Sequence, residues 1–228
     1  MRNTPPELVI FDVDGTLNGI ELWWPDLIRK GLRRFADELG VRLTEPDDEA
    51  ALTVVGEKNE GVWSPFLPLD QQHRWDELRA MVLPMEVELL RSGRDYLYAG
   101  VRELLEALRS CGIRLALASN CGADYLAANA DGQGLGPLTD WQFCLDSVGV
   151  SDKSDMLLRA MEAAGTECAV MVGDRHSDHA AAMAAGIPFI WRANDLCRID
   201  TADGKWLGDP DGLLTLLGLP RISSAPTE

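Results

Sequence analysis

Asp12 and Asp14 stand two apart in the run Asp12-Val13-Asp14-Gly15-Thr16. Side chains two apart on an extended strand project to the same side, so both carboxylates can face one pocket at the strand's end. Gly15 then lets the backbone take a positive φ or pass close to a ligand. Asp-Gly is also a common turn signal and Asp-x-Asp can cap a helix, so the pair alone leaves a purely structural role open. A second acidic pair, Asp174 and Asp178 in Gly173-Asp174-Arg175-His176-Ser177-Asp178, is four apart at a helix start, where the two share a face or one serves as a cap. Four carboxylates converging on one place repel each other unless a cation sits among them, and an all-oxygen, carboxylate-rich set is what Mg²⁺ prefers. Of the four lysines, only Lys153 falls between Ser119-Asn120 and Gly173-Asp174; it is either a solvated loop residue or the positive group of such a site. Ser119-Asn120 offers a hydroxyl and backbone N–H groups of the kind that hold phosphate oxygens.

The elements that must position these residues are strands ending in them. Leu8 to Phe11 is a short apolar run that stops at Asp12, Ile113 to Ala118 runs into Ser119, and Cys168 to Val172 runs into Gly173-Asp174. Each has the form of a strand buried on both faces. Helical spacing precedes two of them: Val101, Leu104, Leu105 and Leu108 end near Gly112, and Met156, Leu157, Ala160, Met161 and Ala164 end at Gly165. The alanine-rich stretch Ala180 to Ala185 stops at Gly186 and leads to a further strand, Pro188 to Trp191. Strands alternating with helices in this way predict an α/β fold, a Rossmann-like parallel sheet with helices on both faces. Ligands of such sheets bind outside the carboxyl ends of the strands, which is where Asp12, Ser119 and Asp174 fall.

The stretch from about Asn18 to Arg91 reads differently, as helices without strands over Leu27 to Leu39 and Asp70 to Leu90 around a Pro/Gly/Trp-containing middle. The expected organisation is a core of residues 1–17 and 92–220, a helical cap inserted after the first strand over 18–91, and a frayed tail over 221–228. Composition supports a folded globular chain: 228 residues, 46% hydrophobic and 25% charged. Its 37 acidic against 21 basic residues give a net charge of −16, which argues against a nucleic-acid-binding face and an anionic lipid surface. No stretch reaches the ~20 apolar residues of a spanning helix, and MRNTPPELVIFD lacks the apolar segment of a secretory signal. Five cysteines without a C-x-x-C pair argue against a disulfide framework or structural zinc site and predict a reduced, cytoplasmic setting. Nothing in the sequence fixes an oligomeric state.

Asp12-Val13-Asp14-Gly15-Thr16-Leu17, Ser119-Asn120, Lys153 and Gly173-Asp174 with Asp178, in that order, resemble the four motifs of the haloacid dehalogenase-like phosphatase superfamily. Tyr98 to Asn120 resembles that family's helix-strand segment, and the inserted helices resemble the cap of its phosphoglycolate phosphatase-like and beta-phosphoglucomutase-like members. The resemblance implies Asp12 as the nucleophile that attacks phosphorus and Asp14 as general acid and base. It implies Ser119, Asn120 and Lys153 around the phosphoryl group, and Mg²⁺ held by Asp12, Asp174, the backbone carbonyl of Asp14 and Asp178, the last directly or through water. The expected function is therefore Mg²⁺-dependent hydrolysis of a small phosphorylated metabolite, phosphoglycolate-like or a sugar phosphate, through an aspartyl-phosphate. A phosphomutase sharing all four motifs, a phosphonate hydrolase using a cap lysine (Lys30 or Lys58) and a non-catalytic binding protein on the same fold are the alternatives. Two positions depart from the family's pattern: Ser154 replaces the proline after the lysine, and Ala99 the proline before Gly100. True dehalogenases lack the second acid, so Asp14 points to a phosphorus bond rather than a carbon–halogen bond.

Other conspicuous residues have plainer readings. His176 and His179 lie beside the acidic cluster, but without a nearby cysteine they do not make a zinc set. Cys121 is expected to pack at the start of the next helix. Trp23, Trp24, Trp63 and Trp75 are expected to pack cap against core or to line a substrate pocket, and Arg29, Lys30, Arg33 and Arg34 to form a solvated helix face.

Overall fold

A computed structural model describes residues 4–194 and 197–222. The expected fray of 221–228 thus lies mostly outside the described residues. The core is a six-stranded parallel sheet formed by β1 (Leu8–Phe11), β2 (Arg114–Ser119), β3 (Trp141–Cys144), β4 (Ala169–Gly173), β5 (Phe189–Arg192) and β6 (Gly204–Trp206). Its order is β3-β2-β1-β4-β5-β6, so the chain reverses direction across the sheet on either side of β1. Phe11 is level with Leu117 of β2 and Val172 of β4. The residues that follow these three therefore emerge side by side, at the switch point where open α/β sheets bind ligands.

All four β1 side chains are fully buried, yet they serve two different cores. Val9 and Phe11 pack with Leu104, Leu105 and Leu108 of α5 (Val101–Ser110) and with Leu213 and Leu214 of α9 (Pro210–Leu216). Leu8 and Ile10 pack with Met156 and Leu157 of α7 (Lys153–Ala164) and Ala182 of α8 (His176–Ala185). The alternation survives in which helices each side chain touches, and each such burial contributes about 1.5–3 kcal/mol.

Between β1 and α5 the chain forms α1 (Trp24–Leu39), α2 (Asp48–Thr53), α3 (Glu60–Trp63) and α4 (Trp75–Leu90), with short 3₁₀ turns between them. α1 starts at Trp24, a turn earlier than expected, with Pro25 in its first turn; α4 starts at Trp75 rather than Asp70, after a 3₁₀ turn over Gln72–Arg74. These helices share an apolar cluster of their own, with Trp23, Trp24, Phe35, Trp63 and Leu78. Tyr125 and Ala128 of α6 (Ala123–Gly132), which follows β2, belong to the same cluster and seat it over the sheet edge. No helix of the described residues is long and apolar enough to cross a membrane.

Candidate active site

The Asp12 backbone N–H donates to Val172 O at 2.9 Å, which extends the β1–β4 ladder by one residue and fixes where the side chain leaves the sheet. Its carboxylate Oδ1 accepts from Lys153 Nζ at 2.7 Å, and the same ammonium donates to Asp178 Oδ1 at 2.6 Å. Lys153 is the first residue of α7 and is almost wholly buried. Burial alone would lower its pKa, but Asp12 and Asp178 more than offset that and push it up, so the amine stays charged. Ser154, where the family has proline, donates its N–H to Asp152 Oδ1 at 2.8 Å; the N-cap Asp152 organises the turn that a proline would otherwise preset.

Asp178 completes the helix start on the other side. Its Oδ2 accepts from the N–H groups of Asp174 and Arg175 at 3.0 and 2.9 Å, so one oxygen caps α8 while the other holds the lysine. Asp174 is fully buried; Asn194 donates to its Oδ2 at 2.7 Å and Arg175 Nε lies 3.3 Å from the same oxygen. Oxygen atoms of Asp12, Asp174 and Asp178 all lie within 4.8 Å of one another. Burial, reinforced by Asp12 and then Asp178, pushes Asp174 up to about 8. Asp12 rises to about 6 through burial, which Lys153 only partly opposes. Three crowded buried carboxylates therefore exceed the positive charge provided by Lys153 and the neighbouring Arg175. The donor set is oxygen only, the chemistry of a hard divalent cation. Gly15 (φ +79°) fits the same picture: a Cβ there would sit 2.5 Å from Asp174 Oδ2, so only glycine lets the loop after β1 come this close to the acids.

Asp14 lies apart from this cluster. Its Oδ1 accepts from the Tyr125 hydroxyl at 2.8 Å, and burial, then the charge of Asp12, pushes its pKa to about 7. The expected convergence of four carboxylates is thus corrected to three, with the Asp14 side chain turned toward α6, because the turn from Val13 to Asn18 redirects the chain after β1. Asp12 and Asp14 both line a cavity of about 730 Å³, counted out to its open mouth. Ser119, Asn120 and Cys121 line its floor, and Trp24, Trp63 and Tyr125 its walls.

Asn120 has a second engagement: its Nδ2 donates to Gly56 O at 2.9 Å, and Arg175 Nη2 donates to Leu52 O at 3.0 Å. Two residues at the sheet edge thus hold the last turn of α2 and the loop after it. Cys121 packs against both apolar clusters as expected and also lines the cavity, and burial raises its thiol pKa. Trp24 and Trp63 line the cavity, whereas Trp23 packs edge-on against Trp24 and donates to Asn18. His176 is exposed and His179 packs on Phe189, so neither joins the acidic cluster. Arg29, Arg33 and Arg34 form ion pairs on the α1 surface. Tyr125, Arg175 and Asn194 carried no signal that separates them from ordinary helix and loop residues; only the tertiary fold places them here.

Residues 6–186 match the family model described as haloacid dehalogenase-like hydrolase. A Lacticaseibacillus casei protein described as "Uncharacterized protein in fgs 3′ region" is 26% identical over 183 residues, 80% of this chain and 82% of that one. A haloacid dehalogenase-like family protein from Streptococcus pneumoniae superposes with a TM-score of 0.75 at 20% identity, over 92% of this chain and 97% of that one. CbbY from Rhodobacter sphaeroides, solved in complex with phosphate, superposes with a TM-score of 0.68 at 22% identity, over 94% of this chain and all of that one. At these identities the structural likeness speaks for the fold, while the family-model match spans most of the chain. This chain belongs to the haloacid dehalogenase-like hydrolase family.

Proposed function

We propose that the protein is a Mg²⁺-dependent phosphatase that hydrolyses a small phosphomonoester metabolite through a phosphoryl group carried on Asp12. What carries this proposal is the pairing of the Asp12 carboxylate with a buried lysine, beside two further acids and across a cavity from a second, proton-holding carboxyl. Asp12 would attack phosphorus while the bond to the alcohol oxygen breaks. Asp14, with a pKa near neutrality, would protonate that oxygen and then take a proton from the water that releases phosphate. Lys153 would hold Asp12 and the phosphoryl oxygens, and Ser119 would donate to the latter. Asp12, Asp174 and the Asp14 backbone carbonyl would hold Mg²⁺ with Asp178 behind them; when bound, Mg²⁺ supplies positive charge that offsets repulsion between carboxylate and phosphate dianion.

Residues 18–91 would act as a cap that excludes water, and the hydrogen bonds from Asn120 and Arg175 to the last turn of α2 and the loop after it favour the closed arrangement. The test is Asp12→Asn, assayed with Mg²⁺ and p-nitrophenyl phosphate. Turnover is expected to fall by about 1,000-fold or more. Normal activity in that variant would overturn the mechanism.

A further inference from the structure

α4 presents Arg79, Leu83 and Glu86, spaced i, i+4 and i+7 on one face, to the cavity that holds Asp12 and Asp14. Glu86 is 95% buried, since only 5% of its surface is exposed, and no described residue hydrogen-bonds or ion-pairs with its carboxyl. Leu78, Val82 and Leu90 are the other deeply buried residues of this helix, so packing alone would be served by an aliphatic residue at position 86. A buried carboxyl without a partner costs stability, and such a group aimed into a cavity implies a partner that arrives with a ligand. Burial and then Asp14 push Glu86 up to about 8, against the influence of Arg79, so near neutral pH the carboxyl can donate as well as accept.

We propose that Glu86 recognises the leaving group: the cavity takes phosphomonoesters whose alcohol carries a hydrogen-bond donor, a hydroxyl or an ammonium, in preference to a carboxylate. This rests on the phosphatase function proposed above, which places the phosphoryl group at Asp12 and the departing oxygen at Asp14. The rest of the alcohol then extends toward α4, between Leu83 and the rings of Trp24 and Trp63. A carboxylate there would be a third buried acid beside Asp14 and Glu86 and could be held only while they keep their protons, whereas Glu86 accepts from a donor in either protonation state. Arg79 is only partly exposed and stands at the other end of the row, two helical turns or about 10 Å along α4 from Glu86, so it does not neutralise a carboxylate placed beside Glu86. Its Nη2 lies 2.8 Å from where a Gly122 Cβ would be, which places the guanidinium against the start of α6 rather than beside Glu86. A donor on the substrate would instead give the Glu86 carboxyl the partner that no described residue supplies, as a donor on the phosphoryl side could for Asn120 Oδ1, which is also buried without one.

The test uses the full chain with Mg²⁺ and three esters of matched length: 2-hydroxyethyl phosphate, 2-aminoethyl phosphate and carboxymethyl phosphate. For the wild type, kcat/KM on the better of the first two is expected to exceed that on carboxymethyl phosphate by about 10-fold or more, the loss expected for a hydrogen bond to a buried group. Glu86→Leu should shrink that ratio by about 10- to 100-fold. Glu86→Gln, nearly isosteric, should keep a preference for the hydroxyl ester and lose one for the ammonium ester, so the arm that leads identifies the donor. Carboxymethyl phosphate turned over as well as the other two, or a ratio unchanged in both variants, would overturn the assignment. Wild-type turnover of p-nitrophenyl phosphate that Asp12→Asn abolishes reports on the phosphatase function separately. If it is present while the ratios fail, only the role of Glu86 falls; if it is absent, both fall.

Discussion

The unpaired carboxyl of Glu86 makes a measurable claim about stability. In the unfolded chain it ionises near 4.5, whereas in the folded protein burial and the charge of Asp14 hold it protonated up to about 8. Between those values the unfolded state releases a proton that the folded state keeps. The unfolded state is therefore favoured more with each step in pH, by about 1.4 kcal/mol per unit. Stability associated with the neutral carboxyl is fully present below pH 4.5, is lost as pH rises to 8, and changes no further above that. The interval of about 3.5 units corresponds to a ceiling of about 5 kcal/mol, so a shift of a few kcal/mol is expected at pH 8. Glu86→Gln keeps the shape of the protonated side chain and cannot ionise. Urea unfolding of both proteins at pH 5, 6, 7 and 8 in EDTA isolates the group, because Asp12, Asp14 and Asp174 titrate in both and largely cancel in the difference. The variant should match the wild type near pH 5 and become progressively the more stable, by a few kcal/mol at pH 8. Curves that run parallel from pH 5 to 8 would refute the claim that this carboxyl is buried without a partner.

Two further substitutions probe the other half of the site. Tyr125→Phe removes the hydroxyl that donates to Asp14 Oδ1, so it should slow alkyl phosphates by about 10-fold while slowing p-nitrophenyl phosphate, whose leaving group needs no proton, much less. Equal slowing of both would mean that Tyr125 does not orient the acid. Gly15→Ala places a Cβ 2.5 Å from Asp174 Oδ2 at a backbone φ of +79°, so Mg²⁺ affinity measured by calorimetry should drop by about 10-fold or more. Unchanged affinity would detach this loop from the metal site.

The four long-buried strands were legible because a strand covered on both faces reads as an uninterrupted apolar run, and each run ended within a residue of where the sheet ends it. Strands β3 and β6 were not, for the same reason inverted. They lie at the two edges, where Trp141, Gln142 and Phe143 are only partly covered and Gly204-Lys205-Trp206 offers no run at all. Side-chain direction was the second limit. Spacing places Asp14 on the same side as Asp12, but the tight turn after Val13 swings it to Tyr125, a contact between residues 111 apart that no local pattern encodes. On α4, apolar residues occur around most of the circumference, so periodicity finds the helix without choosing its inner face, and Glu86 reads as one more surface acid.

The division follows how each half of the site is built. Asp12, Ser119 and Asp174 stand at the ends of three adjacent strands, where hydrogen-bonded register fixes their relative positions whatever surrounds them. Glu86, Leu83 and Arg79 stand on a helix whose rotation is set by packing against α1, α3 and α6 rather than by a hydrogen-bonded register. A substitution on α4 can therefore change what the cavity accepts without moving the sheet-edge acids, whereas a substitution at Gly15 or Lys153 cannot spare them. A carboxyl buried at position 86, on a helix whose other deeply buried positions are aliphatic, is that kind of change. Its stability cost is borne in the half of the site free to vary, which is where a requirement imposed by a particular leaving group would act.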